Sequence, residues 1–315
     1  MTPILTLTLN PALDISTSVA EVVAGPKLRC APPVVDPGGG GINVSRAIRI
    51  LGGESLALVA LGGATGQRLA DCLRHEGVGH SIVSAPGETR QSLAVTDRTS
   101  GQQFRFVLPG AQWTRADMDR MLTRLREIAS PGTIVVLSGS QPPGIPDDFA
   151  TRVAQEIPPD AQLVLDTSGA ALASAVNSPI PGLAILRMDD AEAEGLAGRL
   201  LPRREDSAAF AQDLVAAGIA RCVIIARGAE GSVLADTEGK LFAPAPAVRV
   251  VSAVGAGDTF VAALVLAAAR GAGRAEMLAQ AVAAAAAACM TPATDLCHAE
   301  DVARLMATVQ PVALT

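Results

Sequence analysis

The chain has 315 residues, 49% of them apolar but only 2% aromatic, so alanine, leucine and valine must fill a large core. That composition favours an α/β protein over an aromatic-rich β-sandwich. A formal charge of −6 argues against nucleic acid as the main partner, and any anion it binds needs cations gathered in one place. From the N-terminus, residues 4–10 (ILTLTLN) read as a buried strand ending at Asn10. Residues 15–37 lack a helical period and alternate like β-structure. Four glycines, 38–41, then open a helix over 41–51. A strand at 55–63 and a helix at 66–76 follow. A second alternating segment, 90–109, contains the hairpin signal TDRTSGQQ. Beyond it the pattern predicts helices at 114–129, 146–156 and 206–217, strands at 133–140, 162–169, 183–189 and 221–228, and a helical run at 258–289.

Strand–helix alternation of this kind implies an α/β fold with a doubly wound, mostly parallel sheet and helices on both faces. In such sheets ligands sit beyond the carboxyl ends of the strands. Those ends carry Asn10, Asp14, Ser138, Ser140, Asp166, Asp189 and Gly228. Segments 15–37 and 90–109 read as a small β-lid inserted in a single domain spanning 1–315, since no linker or repeat divides the chain.

Several chemistries are absent. The five cysteines form no C-x-x-C pair and the three histidines complete no zinc pattern, as expected of reduced thiols in a cytoplasmic protein. The N-terminus lacks a signal-peptide pattern. The alanine-rich run 281–288 falls short of the roughly 20 apolar residues that span a bilayer, so no membrane partner is expected. There is no Walker-A loop and no G-x-S-x-G elbow, and Phe260 stands where a dinucleotide fingerprint needs glycine. What remains are two glycine turns that lead into helices. Gly38–Gly41 let backbone approach a ligand closely, with Asn43 behind them; a flexible loop before a helix is the plainer reading. Gly255-Ala256-Gly257-Asp258 is either an ordinary helix cap or an anion site at the positive end of a helix.

The motifs GGGGINVSRAI (38–48) and VGAGDTF (254–260) together resemble the two signatures of the ribokinase-like, PfkB-type carbohydrate kinases. The likeness continues through TLTLNPALD, GPKLRC, TRQSL, FRFVLPG, LSGSQPPG, DTSG and TDLCH, and covers essentially the whole chain. It implies a ribokinase-like fold and ATP-dependent phosphorylation of a phosphosugar. Within the family the likeness is to the minor bacterial 6-phosphofructokinases. Relatives acting on fructose 1-phosphate or tagatose 6-phosphate usually carry lysine where this chain has Gly40, so fructose 6-phosphate is the expected substrate.

The resemblance also assigns roles. Asp258 would be the base, and the amides of Gly255, Ala256 and Gly257 an anion hole for the transferred phosphoryl group. Asp14, Gly39 and Asn43 match sugar-binding positions, and Ser140 a further substrate contact. Lys27, Arg90 and Arg105, all in or beside the lid, match the cations that hold the sugar's phosphate. Asp166 is either an orienting group or a strand-end cap. Ala226, Gly228 and Gly231 fall in the ATP loop, residues 289–294 help enclose the base, and Glu192 would help hold the hydration shell of Mg2+. A homodimer pairing the lids is implied, which would also cover open strand edges.

This chain departs from the family's Lys-Pro-Asn-x-x-Glu, reading Arg187-Met188-Asp189-Asp190-Ala191-Glu192. Arginine keeps the charge in a bulkier planar head, and Asp189 can still bind magnesium's waters but adds a negative charge near ATP. Ala226 and Ala253 replace hydroxyl residues. These changes lie on the ATP side. They leave open a kinase of another phosphosugar, or a phosphosugar-binding protein with little catalysis.

Overall fold

The computed structural model describes residues 1–292 and 295–314. Its centre is β1 (Ile4–Thr8), a five-residue strand buried throughout because its neighbours cover both faces. β1 pairs in parallel with β4 (Leu56–Leu61) on one side, and β4 with the edge strand β5 (Gly79–Ser84). On the other side it pairs with β8 (Ile134–Ser138), followed by β9 (Gln162–Asp166), β10 (Leu183–Asp189) and β11 (Cys222–Ala226), all parallel. The chain order therefore reverses across β1 and β8, and such a switch point opens a crevice at the carboxyl ends of the strands. Three antiparallel strands complete the ten-stranded sheet: β12 (Gly231–Asp236), β13 (Gly239–Pro244) and β14 (Val312–Leu314).

A second sheet has the order β3-β2-β6-β7, built from β2 (Ala12–Val19), β3 (Val34–Gly38), β6 (Arg90–Asp97) and β7 (Gln103–Val107). The two alternating segments supply its strands. The pairing is not wholly antiparallel, however: β2 runs parallel to β6, while β2–β3 and β6–β7 are antiparallel.

Helices cover both faces of the large sheet. On one side lie α1 (Gly40–Ile50), α2 (Gly63–His75), α8 (Ala256–Ala269), α9 (Arg274–Ala288) and α10 (Ala299–Met306). On the other lie α3 (Arg115–Ile128), α4 (Phe149–Glu156), α5 (Gly169–Asn177), α6 (Asp190–Ala197) and α7 (Arg204–Ala216). The predicted helical run 258–289 consists of two helices, α8 and α9. The chain turns at Arg270-Gly271-Ala272-Gly273, where Gly271 adopts φ +81°. Alanine explains the tight pairing that results: it has the highest helix propensity and lets two helix axes approach closely. Both helices are apolar around most of their circumference, as a helix sealed between a sheet and other helices must be. Among the described residues no helix is long and apolar enough to cross a membrane.

This packing brings the start of α1 and the start of α8 to the mouth of the crevice. Glycine is what allows it for α1. A Cβ at Gly41 would come 2.5 Å from the carbonyl oxygen of Leu7, and one at Gly39, with φ +122°, would come 2.7 Å from Thr8 Cγ2. The first turn of α1 thus sits directly on the end of β1.

Candidate active site

Asp258 lies in the first turn of α8. The helix begins at Gly255, in the left-handed region at φ +77°, and no side chain caps its first amides. Uncapped amides at a helix start are where an anion binds best. The Asp258 carboxylate accepts a hydrogen bond from Asn43 Nδ2 at 2.8 Å, joining α1 to α8 across 215 residues of sequence. Burial raises the Asp258 pKa to about 7, helped by the negative charges of Asp166 and Asp14 and opposed by the Asn43 bond and Arg187. A carboxylate poised near neutrality suits a general base.

The sugar-side residues gather around Asp14. Its carboxylate lies so close to the glycine loop that a Cβ on Gly38 would fall 2.0 Å from Asp14 Oδ2. Burial raises the Asp14 pKa, while a bond from Ser92 and the charges of Arg90 and Arg105 pull it down and Asp36 pushes it up. Arg90 is held in place through Nε and Nη2, which donate to the Asn10 carbonyl at 3.2 and 3.0 Å. Arg105 lines a small pocket on the second sheet with Asp14, Ser92 and Gln103, and Val254, just before the α8 turn, lines it too. Ser140 receives a bond from Asn10 Nδ2 at 3.2 Å, so Asn10 connects it with Arg90. Lys27 is exposed on the loop between β2 and β3.

On the other side of Asp258, the Arg187 guanidinium rests against the turn, its Nη1 and Nη2 both 3.4 Å from where a Cβ on Gly257 would be. It also lies 5.9 Å from the centre of the Phe260 ring. Burial pushes the Arg187 pKa down, but the charge and hydrogen bond of Asp166, together with the charges of Glu192 and Asp189, more than offset it and raise it. Asp189 caps α6, accepting from the Glu192 amide at 2.8 Å, and Glu192 Oε2 accepts from the Asp189 amide at 2.8 Å. Aspartate and asparagine cap helices about equally well, so the Asp189 departure leaves the local fold intact. Burial, with Asp189 and Asp166 nearby, raises the Glu192 pKa despite the bond from the Asp189 amide and the charge of Arg187. Ala226 ends β11, and Gly228 leads into a short 3-10 turn with open space where its side chain would be. Gly231 is fixed by packing, since a Cβ there would lie 2.0 Å from the Ala243 carbonyl oxygen. Of the predicted base-enclosing stretch 289–294, residues 293 and 294 lie outside the described residues. Thr291 is buried and donates to the Ala288 and Leu296 carbonyls.

Sequence reasoning passed over Ser92 and Val254. Ser92 is one polar residue in an alternating strand and carries no local signal; Val254 could have been found from its place beside the GAGD turn.

The glycine at position 40 has a steric reason. A Cβ there would meet Ser138 Oγ at 2.5 Å and the Gly139 amide nitrogen at 2.6 Å. Gly40→Lys is therefore expected to lower the melting temperature and depress any activity, since overpacking costs about 1–3 kcal/mol. Melting curves check the first effect. Unchanged melting with a new sugar preference would show instead that the loop yields to the side chain.

An open α/β sheet, a buried carboxylate raised to about 7 in the first turn of a helix with no side-chain cap, and a guanidinium packed against that turn are features that phosphoryl transfer requires. Residues 8–301 match the pfkB family carbohydrate kinases, and the chain belongs to that family. It is 38% identical over 308 residues to the ATP-dependent 6-phosphofructokinase isozyme 2 of Escherichia coli, covering 98% of this chain and 99% of that one. It is 32% identical over 262 residues to a 1-phosphofructokinase of Xanthomonas campestris, covering 82% of each. Among solved structures, phosphofructokinase-2 from Escherichia coli in complex with fructose-6-phosphate superposes with a TM-score of 0.90 at 36% identity, covering 98% of this chain and 99% of that one.

Proposed function

We propose that this chain is one kinase domain with an inserted β-lid, and that it transfers the γ-phosphoryl group of ATP to fructose 6-phosphate, giving fructose 1,6-bisphosphate and ADP. The observation that carries this reading is the Asn43–Asp258 bond, which places the base where the glycine loop and the α8 turn converge. Asp258 takes the proton of the sugar hydroxyl as its oxygen attacks the γ-phosphorus. The amides of Gly255 and Gly257, and that of Ala256 on leaving its 3.4 Å bond to the Ala253 carbonyl, then face the charge on the transferred group. Asp14, Gly39, Asn43 and Ser140 orient the sugar, and Arg90 and Arg105 meet its phosphate. Arg187 balances phosphate charge from the ATP side, where Ala226, Gly228 and Gly231 line the nucleotide loop.

Magnesium fits the donor set here in one respect: the cap uses a single oxygen each of Asp189 and Glu192, leaving the other free for bound water. Among the described residues no three His, Cys, Asp or Glu groups form a metal cluster. When bound, magnesium screens the phosphate charge that repels the incoming hydroxyl.

The sugar is tested by ADP release with MgATP and fructose 6-phosphate, fructose 1-phosphate or tagatose 6-phosphate. The highest kcat/KM is expected for the first. Preference for either of the others would keep the mechanism and replace the substrate.

We also read the lid as a homodimer interface. Leu93 and Phe106 are cross-strand neighbours on β6 and β7, and Phe106, Val107 and Leu108 are 54%, 60% and 55% exposed. Apolar side chains so open beside the free edge of β7 are a surface in want of a partner. Phe106→Asp is expected to convert a dimer to a monomer in sedimentation at micromolar concentration. A wild type that already sediments as a monomer would defeat this reading.

A further inference from the structure

Three parallel strands are in register close to their carboxyl ends. Ser138 of β8 lies opposite Asp166 of β9, and Asp166 opposite Arg187 of β10. All three side chains therefore point to one face of the sheet, continuing the rows Val136, Val164 and Ile185, which pack beneath α1 and α8. The middle member binds both neighbours. Asp166 Oδ2 accepts from Ser138 Oγ at 3.0 Å and Oδ1 from Arg187 Nη1 at 3.1 Å, while its main-chain oxygen accepts from the Gly139 amide at 3.0 Å. The outer members reach the two helix starts: Ser138 packs under Gly40 of the glycine loop, and Arg187 under Gly257 of the α8 turn. Arg187 Nε is buried without a partner, so the bond to Asp166 is what fixes the orientation of the head.

We infer that Asp166 is a positioning residue, holding the Arg187 guanidinium against the α8 turn and tying it to the sugar-side glycine loop through Ser138. This rests on the kinase reading for its effect on rate, but not for its effect on charge. With side-chain exposures of 12% and 15%, Asp166 and Arg187 form a pair shielded enough for the carboxylate to act on its surroundings. The groups that face Asp258 are Asp166 from β9, Arg187 from β10, Asp14 from β2 and Asn43 from α1, and Asp166 is the strongest of the charges that raise it.

Two variants separate position from charge. Asp166→Asn removes the charge and loosens Arg187. It is expected to lower kcat roughly 10- to 100-fold, the scale of a small misplacement of a reacting group, and to move the acid limb of the pH–rate profile to lower pH. The titration of the sugar's own phosphate is common to both enzymes and cancels in the comparison. Asp166→Glu keeps the charge but displaces the head. It is expected to lose rate while keeping the wild-type limb. An independent readout needs no turnover: the fall in melting temperature between pH 4 and 8 that Asp258 causes should shrink in Asp166→Asn and persist in Asp166→Glu. Unchanged kcat and an unchanged pH dependence in a folded Asp166→Asn would overturn the proposal, leaving Asp166 as a strand-end cap. If the wild type shows no turnover at all, the kinase reading fails, and the melting curves still decide the role of Asp166.

Discussion

Asp258→Asn is expected to reduce turnover about 10²- to 10⁴-fold, the usual worth of a positioned base, and to make the protein more stable above pH 7. The second effect follows from the same burial that makes the base useful. An unfolded aspartate ionises near 3.8, whereas in the folded protein burial and the nearby Asp166 hold this one to about 7. Between those two values the folded protein keeps a proton that the unfolded chain releases, so rising pH favours unfolding. At about 1.4 kcal/mol per pKa unit, the wild type loses at most roughly 4 kcal/mol by pH 8. Asparagine carries no charge to bury, and its carbonyl can still accept the bond from Asn43. The difference in melting temperature between variant and wild type should be near zero at pH 4 and largest above pH 7. Parallel curves across that range would mean that Asp258 ionises normally and that its surroundings do not tune it.

Gly255→Ala is expected to lower turnover about 10²- to 10³-fold, comparable to losing a donor at an anion hole. Two constraints meet at this residue. Its φ of +77° is left-handed, which disfavours any side chain, and a Cβ would come within 2.8 Å of Leu296 Cδ2. Leu296 cannot easily retreat, because it is buried and is itself held at φ +53°. The turn must therefore move, taking with it the amides that face the phosphoryl group. Asp258 stays in place on α8 in chemical terms, so the acid limb of the pH profile should survive while kcat falls. Steady-state kinetics over pH check this. Wild-type kcat in a folded variant would show that these amides do not contribute.

The legible and illegible parts of this molecule divide along physical lines. Strands β1, β4, β8, β9, β10 and β11 were readable because each is a short apolar run buried on both faces. Helix α3 was readable as a helical pattern, and in the structure the Asp117 carboxylate accepts from the Thr114 amide at its start. The antiparallel strands β12, β13 and β14 gave weaker signals, since they lie beyond the parallel core and are short or split by polar turns. β5, at the opposite edge, begins GHS and has half its residues exposed. The α8–α9 break was hidden by the alanines on both sides of Gly271. For the site, the two glycine turns were visible as turns, but their meeting was not. The Asn43–Asp258 bond spans 215 residues; the resemblance assigned Asn43 to the sugar and Asp258 to the base, and nothing in the sequence joined the two. The row Ser138, Asp166 and Arg187 depends on strand register, which is set by the packed sheet and is written in no local stretch of the chain.

The most direct test is ADP release by the wild-type protein with MgATP and fructose 6-phosphate, followed from pH 5.5 to 9. The account predicts sugar-dependent turnover that rises with pH through an acid limb near pH 7, where Asp258 gives up its proton. No sugar-dependent ADP release at any pH, in a protein that the sugar phosphate still protects against heat, would contradict it and leave a binding protein with a kinase's fold.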